Sequence, residues 1–247
     1  MESDQRGKDE SVTFESSPVL AQKLAEKPFL TRDDLLELGV DVPFVGFEEE
    51  VAAYEAADRS SPPITEGVLF LGNSDIRRWE PEIFRRHFGR FGAVNRGFGG
   101  ARTWETLIYF GRLVLPWRPR VVVYCAGDND IAKLGARGVR SAVQGFKLFM
   151  GLVNAHLVST RRVLYLAIHR SPSDRPLWGY IAQADAELKA FCARSPRTLF
   201  VDYLHLLENP DGSLRGDAFV ADGLHFTAAF YEELSAFLEP IVDCAMS

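Results

Sequence analysis

The chain has 247 residues, 47% of them hydrophobic and 25% charged, which is enough apolar material for one sizeable core. Its formal net charge of −6 argues against a nucleic-acid partner, because binding to phosphates needs a basic face. Three cysteines, Cys125, Cys192 and Cys244, are too few and too scattered for a disulfide framework and lack metal-ligand spacing, which points to a reducing compartment.

The first segment, residues 1–17, is polar and of mixed charge and reads as a disordered tail. It has no apolar stretch of the kind that marks a secretory signal, and no later run approaches the roughly 20 apolar residues of a membrane span. A cytoplasmic location is therefore expected. Residues 18–60 read as a helical N-terminal extension packed on a main domain of residues 61–247. Within it, Thr31 is placed to cap a helix over Arg32–Leu38 that Gly39 ends. A second helix is expected over roughly Phe47–Ala57, its Glu48, Glu49 and Glu50 near the positive end and facing solvent.

From Gly67 the pattern changes to short, unbroken apolar runs: Val68–Leu71, Val121–Cys125, Val163–Ile168 and Leu199–Val201, with Ala93–Asn95 a weaker candidate. Such runs fit strands of a parallel sheet buried on both faces. Helical patterns separate them. Val139, Val143, Phe146, Met150, Val153 and Leu157 draw one stripe along a long helix, and Phe230, Leu234, Phe237, Leu238 and Ile241 draw another after a Thr227 cap. Strands alternating with helices predict a doubly wound α/β fold, in which ligands bind outside the carboxyl ends of the strands.

Unusual polar residues stand at those ends: Gly72-Asn73-Ser74-Asp75 after the first run, Asn95 to Gly100 after the second, Gly127-Asp128-Asn129-Asp130 after the third, and Asp222-Gly223-Leu224-His225 before the last helix. One chemistry accounts for all four. A serine hydroxyl is a poor nucleophile until a base takes its proton, and imidazole is suited to that near neutral pH. Ser74 and His225 form such a pair. Asp222, three residues from His225, would share its face in one helical turn and orient the ring. The backbone N–H groups of Ser74 and Gly100 and the Asn129 amide are three candidate donors for an oxyanion.

These segments resemble the four conserved blocks of the SGNH hydrolase superfamily (the GDSL-like lipases and esterases): VLFLGNSDIRRW, NRGFGGA, YCAGDNDIA and DGLHFT, in that chain order. The resemblance reaches from about residue 66 to 240 and is greatest to bacterial esterases whose first block reads like GSSSIRLW. It extends to FEEEVAAYEAADRSSPP and AIHRSPSDRPLW. It implies a flavodoxin-like α/β/α sandwich on a five-stranded parallel sheet of order 2-1-3-4-5, with no metal and no organic cofactor. Carried over by position, Ser74 is the nucleophile, Asp222 and His225 complete a triad, and Ser74, Gly100 and Asn129 form the oxyanion hole. The chain departs from the pattern at Asn73, where Asp is usual, at Asp75, where the subgroup has Ser, and at Ala101.

Each signal has a plainer reading. Gly-Asn-Ser is ordinary turn chemistry, Asp128-Asn129-Asp130 would serve as a helix cap, and the Asp-x-x-His spacing is common. His87, His156 and His205 read as surface or partly packed residues, and Trp104 as packing. Arg102, His169 and Arg170, just beyond the strand ends, are candidate substrate contacts. The expected activity is hydrolysis of a small-molecule acyl ester, whether carboxyl ester, acetyl ester or thioester, through an acyl-Ser74 intermediate. Two alternatives stand beside it: acyl transfer by the same triad, and a non-catalytic binding or scaffold protein. The last is motivated by the N-terminal extension and by Asp75, which would oppose a developing oxyanion if it turned toward it.

Overall fold

The computed structural model describes residues 18–37, 46–62 and 64–247. The expected tail, and the Leu38 and Gly39 end of the first predicted helix, lie outside these residues. Three helices precede the first strand: α1 (Pro18–Glu26), α2 (Arg32–Glu37) and α3 (Glu48–Ser60). Strand and helix then alternate as β1 (Val68–Gly72), α4 (Ser74–Arg77), α5 (Pro81–Phe88), β2 (Val94–Gly97), α6 (Thr103–Ile108), α7 (Phe110–Leu113) and β3 (Val121–Cys125). The chain continues through α8 (Asp128–Leu134), α9 (Ala136–His156), β4 (Arg162–Leu166), α10 (Trp178–Cys192), β5 (Thr198–Val201) and α11 (Ala228–Met246).

All five strands are parallel, in the order β2-β1-β3-β4-β5. Side chains alternate across a strand, and this divides each apolar run between two layers. Leu69, Leu71, Val122, Tyr124, Val163 and Tyr165 face a core shared with α6, α9 and α10. Val68, Phe70, Val121, Val123, Leu164 and Leu166 face a second core shared with α5 and α11. The predicted α9 stripe is buried from Val139 to Leu157, although the helix itself begins earlier, at Ala136. β4 stops at Leu166, short of the expected Ile168, because the Ile168 N–H leaves the ladder and donates to the Asp185 carboxylate at 3.0 Å.

The helices before β1 are tied to this body by specific contacts. Thr31 does cap α2: its hydroxyl accepts the Asp34 N–H at 3.2 Å, and the Asp34 carboxylate accepts the Thr31 N–H at 2.8 Å. The Leu24 carbonyl of α1 contacts His156 Nε2 at 2.7 Å. α3 lies along the β2 edge. There the buried Arg96 guanidinium sits 4.7 Å from the rings of both Tyr54 and Trp117 and pairs with Asp58. The acidic start of α3 is more than a solvated face, since Glu48 pairs with Arg112 and Glu50 with Arg77.

Ordering the β1–α4 turn requires α4 to cross β2 at very short range. A Cβ on Gly97 would stand 2.2 Å from the Arg77 nitrogen and 2.7 Å from the Ile76 carbonyl carbon. Both are backbone atoms and have nowhere to retreat. Gly97→Ala is therefore expected to lower the free energy of unfolding by about 1–3 kcal/mol, the usual cost of overpacking, as read from a urea titration.

Candidate active site

β1 ends at Gly72, paired in register with Gly97 on one side and Cys125 on the other, so three strand ends lie level. Gly72 takes φ +156°, and any Cβ there would collide with the Cys125 carbonyl oxygen at 1.8 Å. Asn73 then caps α4. Its Oδ1 accepts the Asp75 N–H at 3.0 Å while its Nδ2 donates to Asp128 Oδ1 at 2.6 Å. An amide both accepts and donates, whereas a carboxylate at this position would only accept and would stand as a further acidic group beside Asp128 and Asp75. This accounts for Asn73 where the resemblance leads one to expect Asp.

Ser74 is the first residue of α4 and is half-buried. Its hydroxyl lies 3.0 Å from His225 Nε2. His225 Nδ1 lies 2.6 Å from Asp222 Oδ2. A carboxylate only accepts, so Nδ1 carries the ring proton and Nε2 offers its lone pair to Ser74. The second Asp222 oxygen accepts the N–H groups of Leu224 at 2.8 Å and His225 at 2.9 Å. The His225 contact, followed by these two backbone donors, holds the Asp222 carboxyl well below the usual carboxylate range. The segment is not the helical turn expected from the spacing. It is an aspartate-capped turn with Gly223 at φ +67°, and the two side chains meet because the Asp222 carboxylate folds back over its own backbone.

The remaining two segments lie against the β1–α4 turn, where the Phe98 N–H donates to the Gly72 carbonyl at 2.9 Å and Asp128 takes the Asn73 amide. Gly100 is exposed at φ +81° with open space where a Cβ would stand. Asn129, on the first turn of α8, donates from Nδ2 to the Ala101 carbonyl at 3.1 Å and lies 3.3 Å from Asp128 Oδ2. The Asn73–Asp128 and Asn129–Ala101 contacts thus join the ends of β1, β3 and β2. Asp130 faces inward, accepting from the Thr103 N–H at 2.9 Å and from the Ser141 hydroxyl.

The candidate substrate contacts fare unequally. Arg102 is buried and engaged by Glu105, itself 1% exposed, so it presents almost no surface to a ligand. His169 is 3% exposed, its ring held between Asp75 and the Leu224 carbonyl, so it presents almost no surface to a ligand. Arg170 is half-buried, near the Trp178 ring and 3.4 Å from Glu208. Asp75 does not stand open to the cleft. It is 6% exposed, and its Oδ2 lies 3.4 Å from His169 Nδ1 and 3.5 Å from Asn73 Nδ2. Trp104 is packing, as expected, with its indole N–H on Ser141. His87 is half-buried between Glu232 and Glu239. Among the described residues, no group of three or more His, Cys, Asp or Glu side chains is arranged to hold a metal ion, and no helix is long and apolar enough to cross a membrane.

Fold and site together define a three-layer α/β protein with a serine–histidine–aspartate array at the carboxyl ends of its strands. The GDSL-like lipase/acylhydrolase family model matches residues 64–233, and the chain belongs to that family. Solved structures share the fold. A GDSL-like lipase from Bacteroides thetaiotaomicron superposes with a TM-score of 0.66 at 21% identity, over 79% of this chain and 98% of that one. A lipase/acylhydrolase from Enterococcus faecalis gives 0.58 at 17%, over 73% and 96%. A catalytic mutant of an acetylxylan esterase from Geobacillus stearothermophilus gives 0.55 at 18%, over 72% and 95%. No curated protein matches the sequence.

Burial, followed by the charge of nearby Asp75, pushes the Asp128 carboxyl up to about 7, against the opposing pull of His169 and the Asn73 amide. A carboxyl raised in the folded state contributes most to stability below its ordinary value of 3.8 and loses that contribution as pH rises through about 7. Asn73→Asp removes the donor to Asp128 and adds a carboxylate beside it. The variant should match the parent most closely at pH 5. At pH 8 it should be less stable by about 1–3 kcal/mol, the cost of leaving a buried polar group without its partner, as measured by urea unfolding at the two pH values.

Proposed function

We propose that this family member is a serine esterase that cleaves a small acyl ester through an acyl-Ser74 intermediate. The observation that carries the reading is the unbroken relay from Ser74 Oγ to His225 Nε2 at 3.0 Å and from His225 Nδ1 to Asp222 at 2.6 Å. In this reading Ser74 attacks the ester carbonyl and its proton passes to His225. The ring becomes a cation beside the Asp222 carboxylate, which is already ionised and hydrogen-bonded for that role. His225 then protonates the departing alkoxide. Water, deprotonated by the same ring, releases the acid and restores Ser74.

Charge on the tetrahedral oxygen would be met by donors at the level strand ends. The Ser74 and Gly100 N–H groups and the Asn129 amide are the candidates, and the open space at Gly100 leaves room for a carbonyl to approach. Asp75 does not weaken this reading, because its carboxylate is buried against His169. Acetyl esters, including those on carbohydrates, fit a site of this kind, and acylhydrolase and acetylxylan esterase chemistry is named for structural neighbours.

Ser74→Ala should lose roughly 10⁴-fold or more in kcat for p-nitrophenyl acetate, keeping only the residual catalysis that the oxyanion donors and binding supply. A variant as fast as the parent would refute the nucleophile assignment. Asn129→Ala should retain KM within a few-fold and lose roughly 10²–10³ in kcat, the usual cost of one oxyanion donor, as measured by steady-state kinetics.

A further inference from the structure

Asp75 and His169 form a buried pair that the triad does not use. The His169 ring is 3% exposed. Its Nδ1 faces Asp75 Oδ2 at 3.4 Å, and its Nε2 faces the Leu224 carbonyl oxygen at 3.2 Å. Both partners are acceptors. A neutral imidazole has one N–H and would leave one of these contacts as lone pair against lone pair, so the ring that satisfies both is the cation, donating at each end. Asp75 is the residue after Ser74, and Leu224 is the residue before His225. One ring therefore spans the two turns whose side chains meet at 3.0 Å. The Phe226 ring, centred 4.5 Å away, packs against the imidazole, and the Ser173 N–H donates to the Gly223 carbonyl at 3.0 Å as a second strut on the same turn.

We infer that His169 is a positioning residue: a buried imidazolium that ties the Ser74 turn, through Asp75, to the His225 turn, through Leu224, and so sets the distance between nucleophile and base. The inference rests on the proposed roles of Ser74 and His225. It also explains Asp75, whose carboxylate is the counter-ion that makes a buried cation tenable. The charges around the ring are Asp75 from the β1–α4 turn, Asp128 from α8 and Asp185 from α10, with Arg170 following it in the chain. The uncharged Cys125 thiol and Tyr231 hydroxyl lie against Asp75 on its other sides.

Burial by itself would lower the His169 pKa, but the Asp75 carboxylate, then Asp128 and the Leu224 carbonyl, outweigh it and raise the ring to about 9. The cation is therefore present across neutral pH and is lost as pH rises through that value, when one of the two struts goes with it.

The test is kcat and kcat/KM for p-nitrophenyl acetate from pH 6 to 10.5, together with ¹⁵N-histidine NMR of the same intact protein. The parent should show the His169 ring, identified by its absence from His169→Gln, protonated at both nitrogens at neutral pH, alongside the His87 ring that Glu232 and Glu239 flank. The His169 titration near pH 9 should coincide with an alkaline fall in kcat. His169→Gln, which has no cation and cannot donate from two opposite ends, should lose kcat by roughly tenfold to a hundredfold with KM little changed, as for a misplaced reacting pair, and should lack that alkaline limb. His169→Lys, a cation with several donors, should recover part of the kcat and move the limb to higher pH. The inference is overturned if the parent profile is flat through pH 10, if its alkaline limb does not track the doubly protonated ring, or if His169→Gln keeps the parent kcat. The underlying esterase reading fails separately, by a parent that cleaves no ester or by Ser74→Ala retaining activity.

Discussion

A serine hydroxyl acquires a base only where an acceptor is held within hydrogen-bond reach, and here the acceptor lies 151 residues further along the chain. The 3.0 Å contact between Ser74 and His225 depends on two separate structures: the turn after β1 and the loop that enters α11. Much of the second layer serves to keep them in register. α11 packs on α5, the Trp79 indole donates to Ser235 at 2.9 Å, and the Tyr231 hydroxyl donates to the Asp75 carbonyl at 2.8 Å. A helix that seats the His225 loop is thus pinned directly to the backbone of the Ser74 turn.

The same constraint explains the dense polar cluster beneath the site. Burying carboxylates is costly unless each finds donors or a counter-ion. Asp75 and Asp128 share the Asn73 amide between them, and Asp75 has His169. Each residue of this cluster that departs from the resembling family supports another: Asn73 suits two neighbouring carboxylates, and Asp75 suits an imidazolium. The price is pH sensitivity, since rising pH both ionises the buried Asp128 carboxyl and removes the His169 cation.

Much of this was legible in the sequence. Strands covered on both faces need no polar alternation, so β1, β3 and most of β4 stood out as unbroken apolar runs, and the α9 stripe announced its buried face. Polar residues directly after those runs marked the ends where Ser74 and its neighbours assemble. Other features were hidden for physical reasons. A spacing of three between Asp222 and His225 fits a helical turn as well as an aspartate-capped turn, and only the positive φ of Gly223 separates them. Asp75 read as a threat to an oxyanion because its partner, His169, comes from the segment after β4, 94 residues along the chain, and no local pattern records such a contact. Arg102 read as a ligand contact, yet Glu105 three residues later draws it into a buried capping box. The weak β2 signal came from Arg96, a charge in a strand that is tolerated because two aromatic rings and Asp58 enclose it.

Every proposed step begins with Ser74 as a nucleophile activated by His225. Peptide mapping by mass spectrometry after reaction with a fluorophosphonate at neutral pH tests it most directly. One covalent adduct, on Ser74, should form rapidly in the parent and far more slowly in His225→Ala. An adduct on a different residue, or labelling of Ser74 at the same rate in both proteins, would contradict it.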